Sequence, residues 1–284
     1  MREKLTFIQS LALDAGDIML QHWKRKIATF QKADLTIVTE VDLKISSMVV
    51  SRVREQWPGY GLLTEETCQA FGGETKGFIV DELDGTYAYA NRRPGFTFQA
   101  AYYDSDNHAQ IGVIYDPLRR FLLYAVRGEG VFLEADGHRS RLTPRFQTQW
   151  EKLRFANHRQ FSSDTYRKLY ARLGLSNEQI VSTGSIGSKV IDFVLGRVDA
   201  LVSLNRHVGA WDWAPGKVIL EELGFVVSHL GGEELQIEVP HPATPFGYLV
   251  CPRQHEQRLR SELRWITDRL APQTRPAPEF VLSA

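Results

Sequence analysis

The sequence predicts an α+β fold built in packed layers. Three observations carry that reading. Two helical periodicities open the chain, a run of short apolar strands follows, and helices then alternate with strands. At 284 residues the chain is long enough for one large domain or two halves sharing a core. The expected division is an α+β half over 1–145 and an α/β half over 146–284.

The elements follow in order. Leu5, Ile8, Leu11, Ala12, Ala15, Ile18, Met19 and Trp23 recur at helical spacing over 3–24, and Val41, Ile45, Met48, Val49, Val53 and Trp57 do so over 41–57. "WPGYG" ends the second helix. Between them "FQKADLTIVTEVD" is polar and poorly periodic, a loop or a hairpin. From 78 to 133, "FTFQAAYY", "AQIGVIYD", "RFLLYAV" and "GVFLEA" read as antiparallel strands separated by the turns "DSDNH", "DPLRR" and "RGEG". The stretch 138–152 has no strong signal and is expected to connect the halves. Beyond it come a strand "KLRFAN", a helix over 161–174, a strand "QIVST", and a helix "GSIGSKVIDFVLG" capped by Gly196. A strand "DALVSL", a helix ended by Gly224, strands "FVVSHL" and "FGYLVC", and a helix near 253–270 complete the order. The tail "APQTRPAPEF" reads as extended.

Lys plus Arg and Asp plus Glu number 34 each, so no global field favours nucleic acid or a membrane surface. Two cysteines, Cys68 and Cys251, argue against a zinc site or a disulfide framework. Asp14 and Asp17 interrupt the apolar run a signal peptide needs, and no stretch has the eighteen apolar residues of a membrane span. A cytoplasmic protein is expected.

The chemistry concentrates after the apolar run "GFIV". "DELDGT" places Asp81, Glu82 and Asp84 in one turn, where like charges repel by about a kcal/mol or more each. Solvent, a basic side chain or a metal ion would offset that. Two carboxylates and the Leu83 carbonyl suit a hard cation such as Mg²⁺, which takes oxygen ligands. Gly85 allows close backbone approach, and its amide and that of Thr86 could open a helix onto a phosphate. The alternative is a solvated acidic turn. Glu65 and Glu66 are adjacent acids after the strand-like "YGLL", so strand alternation sends at most one toward a shared site. Asp212 in "AWDWAPG" reads as an N-cap with Pro215 in the first turn. Asp42 reads as an acid at a helix start, and Thr86 as an ordinary turn threonine.

Together, "KADLTIVTEVD", "LLTEE", "DELDGT" and "WD" followed twelve residues later by Gly224 resemble the inositol monophosphatase family of Mg²⁺-dependent, lithium-sensitive phosphatases. "GVIYDPLRRFLLYAVRGEGVFL", "GSIGSKVIDFVLGRVDA" and "ALDAGDIML" extend the likeness across residues 8–252. The resemblance implies a layered αβαβα sandwich and a homodimer. It implies two or three Mg²⁺ ions per site, held by Glu65, Asp81, the Leu83 carbonyl, Asp84 and Asp212, most of them in the first half. It gives water activation to Asp42 and Thr86. Asp84 and the amides of Gly85 and Thr86 would meet the phosphorylated substrate, with Gly184, Ser185, Ile186 and Ser203 lining its pocket.

Three positions depart from the family pattern. Glu82 stands where the family has proline, adding charge with its side chain expected to point away from the metals. Ile37 replaces another proline. Ser203 replaces an acid that would accept hydrogen bonds from substrate hydroxyls, which weakens the case for strict inositol specificity. The expected substrate is a small phosphate monoester, inositol monophosphate first. A 3′(2′),5′-bisphosphate nucleotide, fructose 1,6-bisphosphate or histidinol phosphate is the alternative, and a non-catalytic binding protein the remote one. Arg92, Arg93, Lys189, Arg206 and His207 are candidate cations for a second phosphate.

Overall fold

The computed structural model describes residues 1–32, 36–66, 75–104, 108–158, 164–205, 208–237 and 247–270, with the backbone alone at 158 and 268–270. Helix α1, Arg2–Trp23, buries one stripe, Phe7, Ile8, Leu11, Ala12, Ala15 and Met19. Strands β1, Thr29–Gln31, and β2, Ile37–Thr39, pair antiparallel, so the polar segment is a hairpin; Ala33, Asp34 and Leu35 lie outside the described residues. Helix α2, Glu40–Gln56, starts where Thr39 caps it and Asp42 closes a capping box.

The larger sheet holds seven strands in chain order: β3 Gly61–Thr64, β4 Gly77–Asp84, β5 Thr97–Tyr103, β6 Ala109–Asp116, β7 Phe121–Val126, β8 Gly130–Ala135 and β9 His138–Leu142. β3 runs parallel to β4, and the rest form an antiparallel meander. The short helix α3, Thr86–Ala90, sits between β4 and β5. β9 lies where the sequence lacks a strand signal. It is an exposed, charged edge strand, "HRSRL", so no buried face imposes alternation. Its signal is the turn before it: Asp136 and Gly137 both take positive φ, 50° and 77°, as a two-residue hairpin turn requires.

The second sheet has the order β11-β10-β12-β14-β13. Its strands are β10 Phe155–His158, β11 Ile180–Thr183, β12 Ala200–Ser203, β13 Phe225–His229 and β14 Tyr248–Pro252. Helices α4 Asp164–Leu173, α5 Ile186–Val194, α6 Ala210–Glu222 and α7 Glu256–Leu270 complete the described chain.

Three apolar clusters define five layers. α1 and α2 pack on one face of the larger sheet through Phe78, Val80, Phe98 and Val113. α5 and α6 fill the space between the sheets, touching Ile79, Ile114 and Leu123 on one side and Leu201, Val227 and Val250 on the other. α4 and α7 cover the outer face of the second sheet through Leu169, Leu173, Leu259 and Leu263. The result is an αβαβα sandwich.

Phe78 ties α1 and α2 to β4. It is fully buried and packs against Phe7, Trp57, Tyr60 and Tyr102. Phe78→Ala is expected to cost about 3–5 kcal/mol. Urea unfolding should show a lower midpoint at unchanged slope.

Candidate active site

The site forms where β4 stops being regular. Up to Val80 the strand alternates, with Phe78 and Val80 facing α1 and α2 and Ile79 facing α5 and α6. Asp81 and Asp84 are an odd number of residues apart, so an ideal strand would send them to opposite faces. The pairing with β5 shifts register between them, and this bulge returns Asp84 to the side of Asp81. Asp212 arrives from the first turn of α6. One carboxylate oxygen from each of Asp81, Asp84 and Asp212 lies within 4.8 Å of the others.

Each acid is held by donors that fix its direction. Asp81 accepts from the Leu83 amide (3.1 Å) and more weakly from Gln99 Nε2 (3.4 Å). Asp84 accepts from Thr97 Oγ1 (3.0 Å) and from the amides of Ile186 (3.2 Å) and Gly187 (2.6 Å) at the start of α5. Gly187 has no substitute there, because a Cβ would stand 2.2 Å from Thr97 Oγ1. Asp212 accepts from the Gly209 amide at 2.8 Å. It is therefore the third residue of α6, with Gly209 as N-cap, and Pro215 lies inside the helix. The sequence reading put Asp212 at the cap itself. The helix starts three residues earlier because an acid at the third position can satisfy the cap's amide.

Among the described residues no ion pair reaches Asp81, Asp84 or Asp212. Burial raises the pKa of Asp81, and the charges of Glu65, Asp84 and Asp212 raise it further. Asp212 is raised in the same way. Burial raises Asp84 too, against its hydrogen bonds to Ser185, Gly187 and Thr97. Lys189 lowers the pKa of Asp84 and Asp212 without pairing to them, and a cluster of hard oxygen donors with no ion-pair partner among the described residues fits a divalent cation such as Mg²⁺.

Asp42 and Thr86, 44 residues apart, meet. Thr86 Oγ1 lies 3.0 Å from Asp42 Oδ1 and 3.0 Å from the Leu83 carbonyl oxygen. The other oxygen of Asp42 accepts from Thr39 N–H (2.8 Å) and from the Thr39 hydroxyl. Burial pushes the Asp42 pKa up to about 6, against the hydrogen bonds from Thr39 and Thr86.

Glu65 stands outside the three-aspartate group. Its carboxylate takes Lys32 Nζ at 3.0 Å, and Glu66 takes the same ammonium at 2.8 Å. Strand alternation does not separate this pair, because β3 ends at Thr64 and both acids sit in the following turn. Burial opposes the Lys32 charge, but Glu65 and Glu66 outweigh it and hold its pKa above the ordinary range.

Glu82 points away from the three aspartates toward α2, where it lies beside Ser46. It is 0% exposed, and neither its carboxyl oxygens nor Ser46 Oγ makes a hydrogen bond of proper geometry. Burial lifts its pKa to about 8, with Glu65 adding to the rise.

On the substrate side, Gly85 caps α3 with φ 92°. Ser185 caps α5, followed by Ile186, and its amide donates to Gly95. Ser203 ends β12 half-buried, opposite Tyr248 on β14, with its side chain next to the tyrosine hydroxyl. Arg92 turns to α1, where it donates to the His22 carbonyl. Arg93 is exposed, and Arg206 and His207 lie outside the described residues. Lys189 is buried, 2% exposed, and donates to the Gly184 carbonyl at 2.6 Å. Sequence reasoning missed Lys32, Thr97, Gln99, Gly187 and Tyr248. Each lies in a stretch quoted above but acts through a partner distant in the chain, which no local signal names.

A family model described as the inositol monophosphatase family matches residues 1–266. A Thermotoga maritima protein named fructose-1,6-bisphosphatase/inositol-1-monophosphatase is 27% identical over 233 residues, covering 82% of this chain and 87% of the relative. The Escherichia coli protein named Nus factor SuhB is 27% identical over 239 residues, with the same coverage of 82% and 87%. The solved structure of a Thermotoga maritima IMPase superposes with a TM-score of 0.79 at 23% identity, covering 95% of this chain and all of that one. No helix among the described residues is long and apolar enough to cross a membrane.

The buried Glu82 makes a pH-dependent contribution whose sign is fixed. Its folded pKa of about 8 lies above its ordinary value of 4.5. The folded protein therefore keeps a proton that the unfolded chain gives up. That contribution is fully present below pH 4.5 and is lost as pH rises through 8. In chelated protein, Glu82→Gln should exceed the wild type in stability by roughly 3–5 kcal/mol more at alkaline than at acid pH. Parallel stability curves for the two proteins between pH 5 and 8.5 would contradict it.

Proposed function

The chain belongs to the inositol monophosphatase family, and from that premise we propose that it hydrolyses small phosphate monoesters with Mg²⁺, polyol monophosphates such as inositol monophosphate first. The observation that carries the proposal is the meeting of two arrangements. Asp81, Asp84 and Asp212 converge within 4.8 Å, and beside them Thr86 reaches Asp42 at 3.0 Å.

Asp81, Asp84 and Asp212 would hold Mg²⁺, with Glu65 and the Leu83 carbonyl as further oxygen donors. Bound there, Mg²⁺ supplies positive charge for the phosphate oxygens and makes water more acidic. The chain's own residues do the rest. The Thr86 hydroxyl has a single proton and two acceptors, Asp42 and the Leu83 carbonyl, each at 3.0 Å. Turned to Asp42, it leaves a lone pair free to receive a hydrogen from water. Asp42 with a pKa of about 6 is a base matched to near-neutral pH. The capping box around Thr39 fixes its other oxygen, so the acid cannot swing away. The amides of Gly85 and Thr86 would bind phosphate, and the 184–186 turn with Ser203 would receive the alcohol.

Ser203 favours a wider substrate range than polyols alone. A hydroxyl beside Tyr248 offers no charge to hold a sugar or polyol hydroxyl. The Thermotoga relative carries two phosphatase activities in its name. A phosphate-release screen should find Mg²⁺-dependent turnover of inositol 1-phosphate together with fructose 1,6-bisphosphate, adenosine 3′,5′-bisphosphate or histidinol phosphate. No release from any of them with Mg²⁺ would overturn the proposal.

Asp42→Asn and Thr86→Ala are each expected to lower kcat by about 10²–10⁴ while leaving Mg²⁺ affinity nearly unchanged. The double variant should be little slower than either single one, because one relay is lost only once. Multiplicative losses would show that the two residues act separately.

A further inference from the structure

Lys189 is a cation with no ordinary reason to be where it is. It lies on α5, is 2% exposed, and shares its surroundings with Val190, Phe193, Leu201 and Trp213. Burying an ammonium costs several kcal/mol unless something nearby repays it. Its hydrogen bonds go to two backbone carbonyls, Gly184 at 2.6 Å and Ser185 at 3.5 Å. A neutral donor would serve those acceptors without the cost of burying charge.

Part of the repayment lies across the same turn. The two residues after Ser185, Ile186 and Gly187, give their amides to Asp84. Lys189 also lines, together with Asp212, Ile186 and Tyr248, a cavity of about 20 Å³, room for one water. Burial lowers the Lys189 pKa to about 8, and Asp84 and Asp212, the strongest charges acting on it, offset that burial in part and keep the ammonium charged near pH 7. Neither is close enough for an ion pair. The ammonium therefore compensates the carboxylates through space, with no ion pair to either.

We propose that Lys189 is a positioning residue that sets how tightly the Asp84–Asp212 side of the carboxylate cluster holds a cation. It rests on the metal-dependent reading given above. With no cation bound, the ammonium offsets the repulsion between the two acids. With a cation bound, the same charge repels it. The protein thereby folds more easily without metal and holds metal less tightly there than the carboxylates alone would. A unit charge several ångströms from a divalent ion, at the effective dielectric of a protein, is enough to shift affinity by about tenfold or more.

The test is Mg²⁺ titration by calorimetry on wild type, Lys189→Gln and Lys189→Arg near pH 7, with thermal unfolding of each in EDTA. Gln keeps a donor for Gly184 and removes the charge, and Arg keeps the charge. Lys189→Gln is expected to bind Mg²⁺ about tenfold more tightly and to unfold at a lower temperature in EDTA, while Lys189→Arg stays near wild type in affinity. Unchanged or weaker Mg²⁺ binding in a folded Lys189→Gln would overturn the inference and leave the metal-dependent reading standing. If Gln fails to fold, Lys189→Met serves as the uncharged variant. Absence of Mg²⁺ binding in wild type itself would overturn both.

Discussion

Everything at this site answers one constraint: three carboxylates are pressed together where solvent screens them poorly. Asp81 and Asp84 come from β4 and Asp212 from the first turn of α6; the first two are buried and Asp212 is half-buried. At the effective dielectric of such a place, each close pair costs several kcal/mol if both members are charged. The chain tolerates this because every acid is anchored by donors it cannot lose without breaking a helix start or a strand bulge. Asp84 sits on the first amides of α5, Asp212 on the cap of α6, and Asp81 on the turn that makes the bulge.

The same device recurs beside the cluster. Asp42 and Asp212 are both third residues of helices, and each accepts a hydrogen bond from its own N-cap amide; for Asp42 the Thr39 side chain completes a capping box. One oxygen of each is spent on the backbone, which aims the other. For Asp42 the aimed oxygen meets Thr86. Helix initiation and the geometry of the proposed relay are thus one set of bonds, so a substitution that disturbs the cap is expected to disturb that relay.

Much of this was legible before any coordinates. Apolar spacing located α1 and α2 to within a residue at each end, since both bury a single stripe. The acids after "GFIV" were visible as a site because three carboxylates in one turn need an explanation. What was not legible depends on distant contacts. Nothing local says that Gly187 must lack a side chain so that Asp84, 103 residues earlier, can reach its amide. Glu65 and Glu66 look like opposite-facing strand residues until β3 is seen to stop one residue short of them. Lys189 reads in the sequence as a candidate cation for a second phosphate. Only the packing of α5 between the sheets shows it enclosed. β9 escaped because an exposed edge strand carries no apolar pattern.

The account stands on the claim that the cluster is a strained anionic pocket relieved by a cation. Thermal unfolding of wild type and Asp212→Asn, each in EDTA and in Mg²⁺, tests it most directly. Asparagine can still accept the Gly209 amide, so the helix cap survives while one charge is removed. The prediction is a crossing: Asp212→Asn unfolds at a higher temperature than wild type in EDTA, and Mg²⁺ raises wild type well above the variant. An Asp212→Asn protein less stable than wild type in EDTA, with Mg²⁺ moving neither, would contradict it.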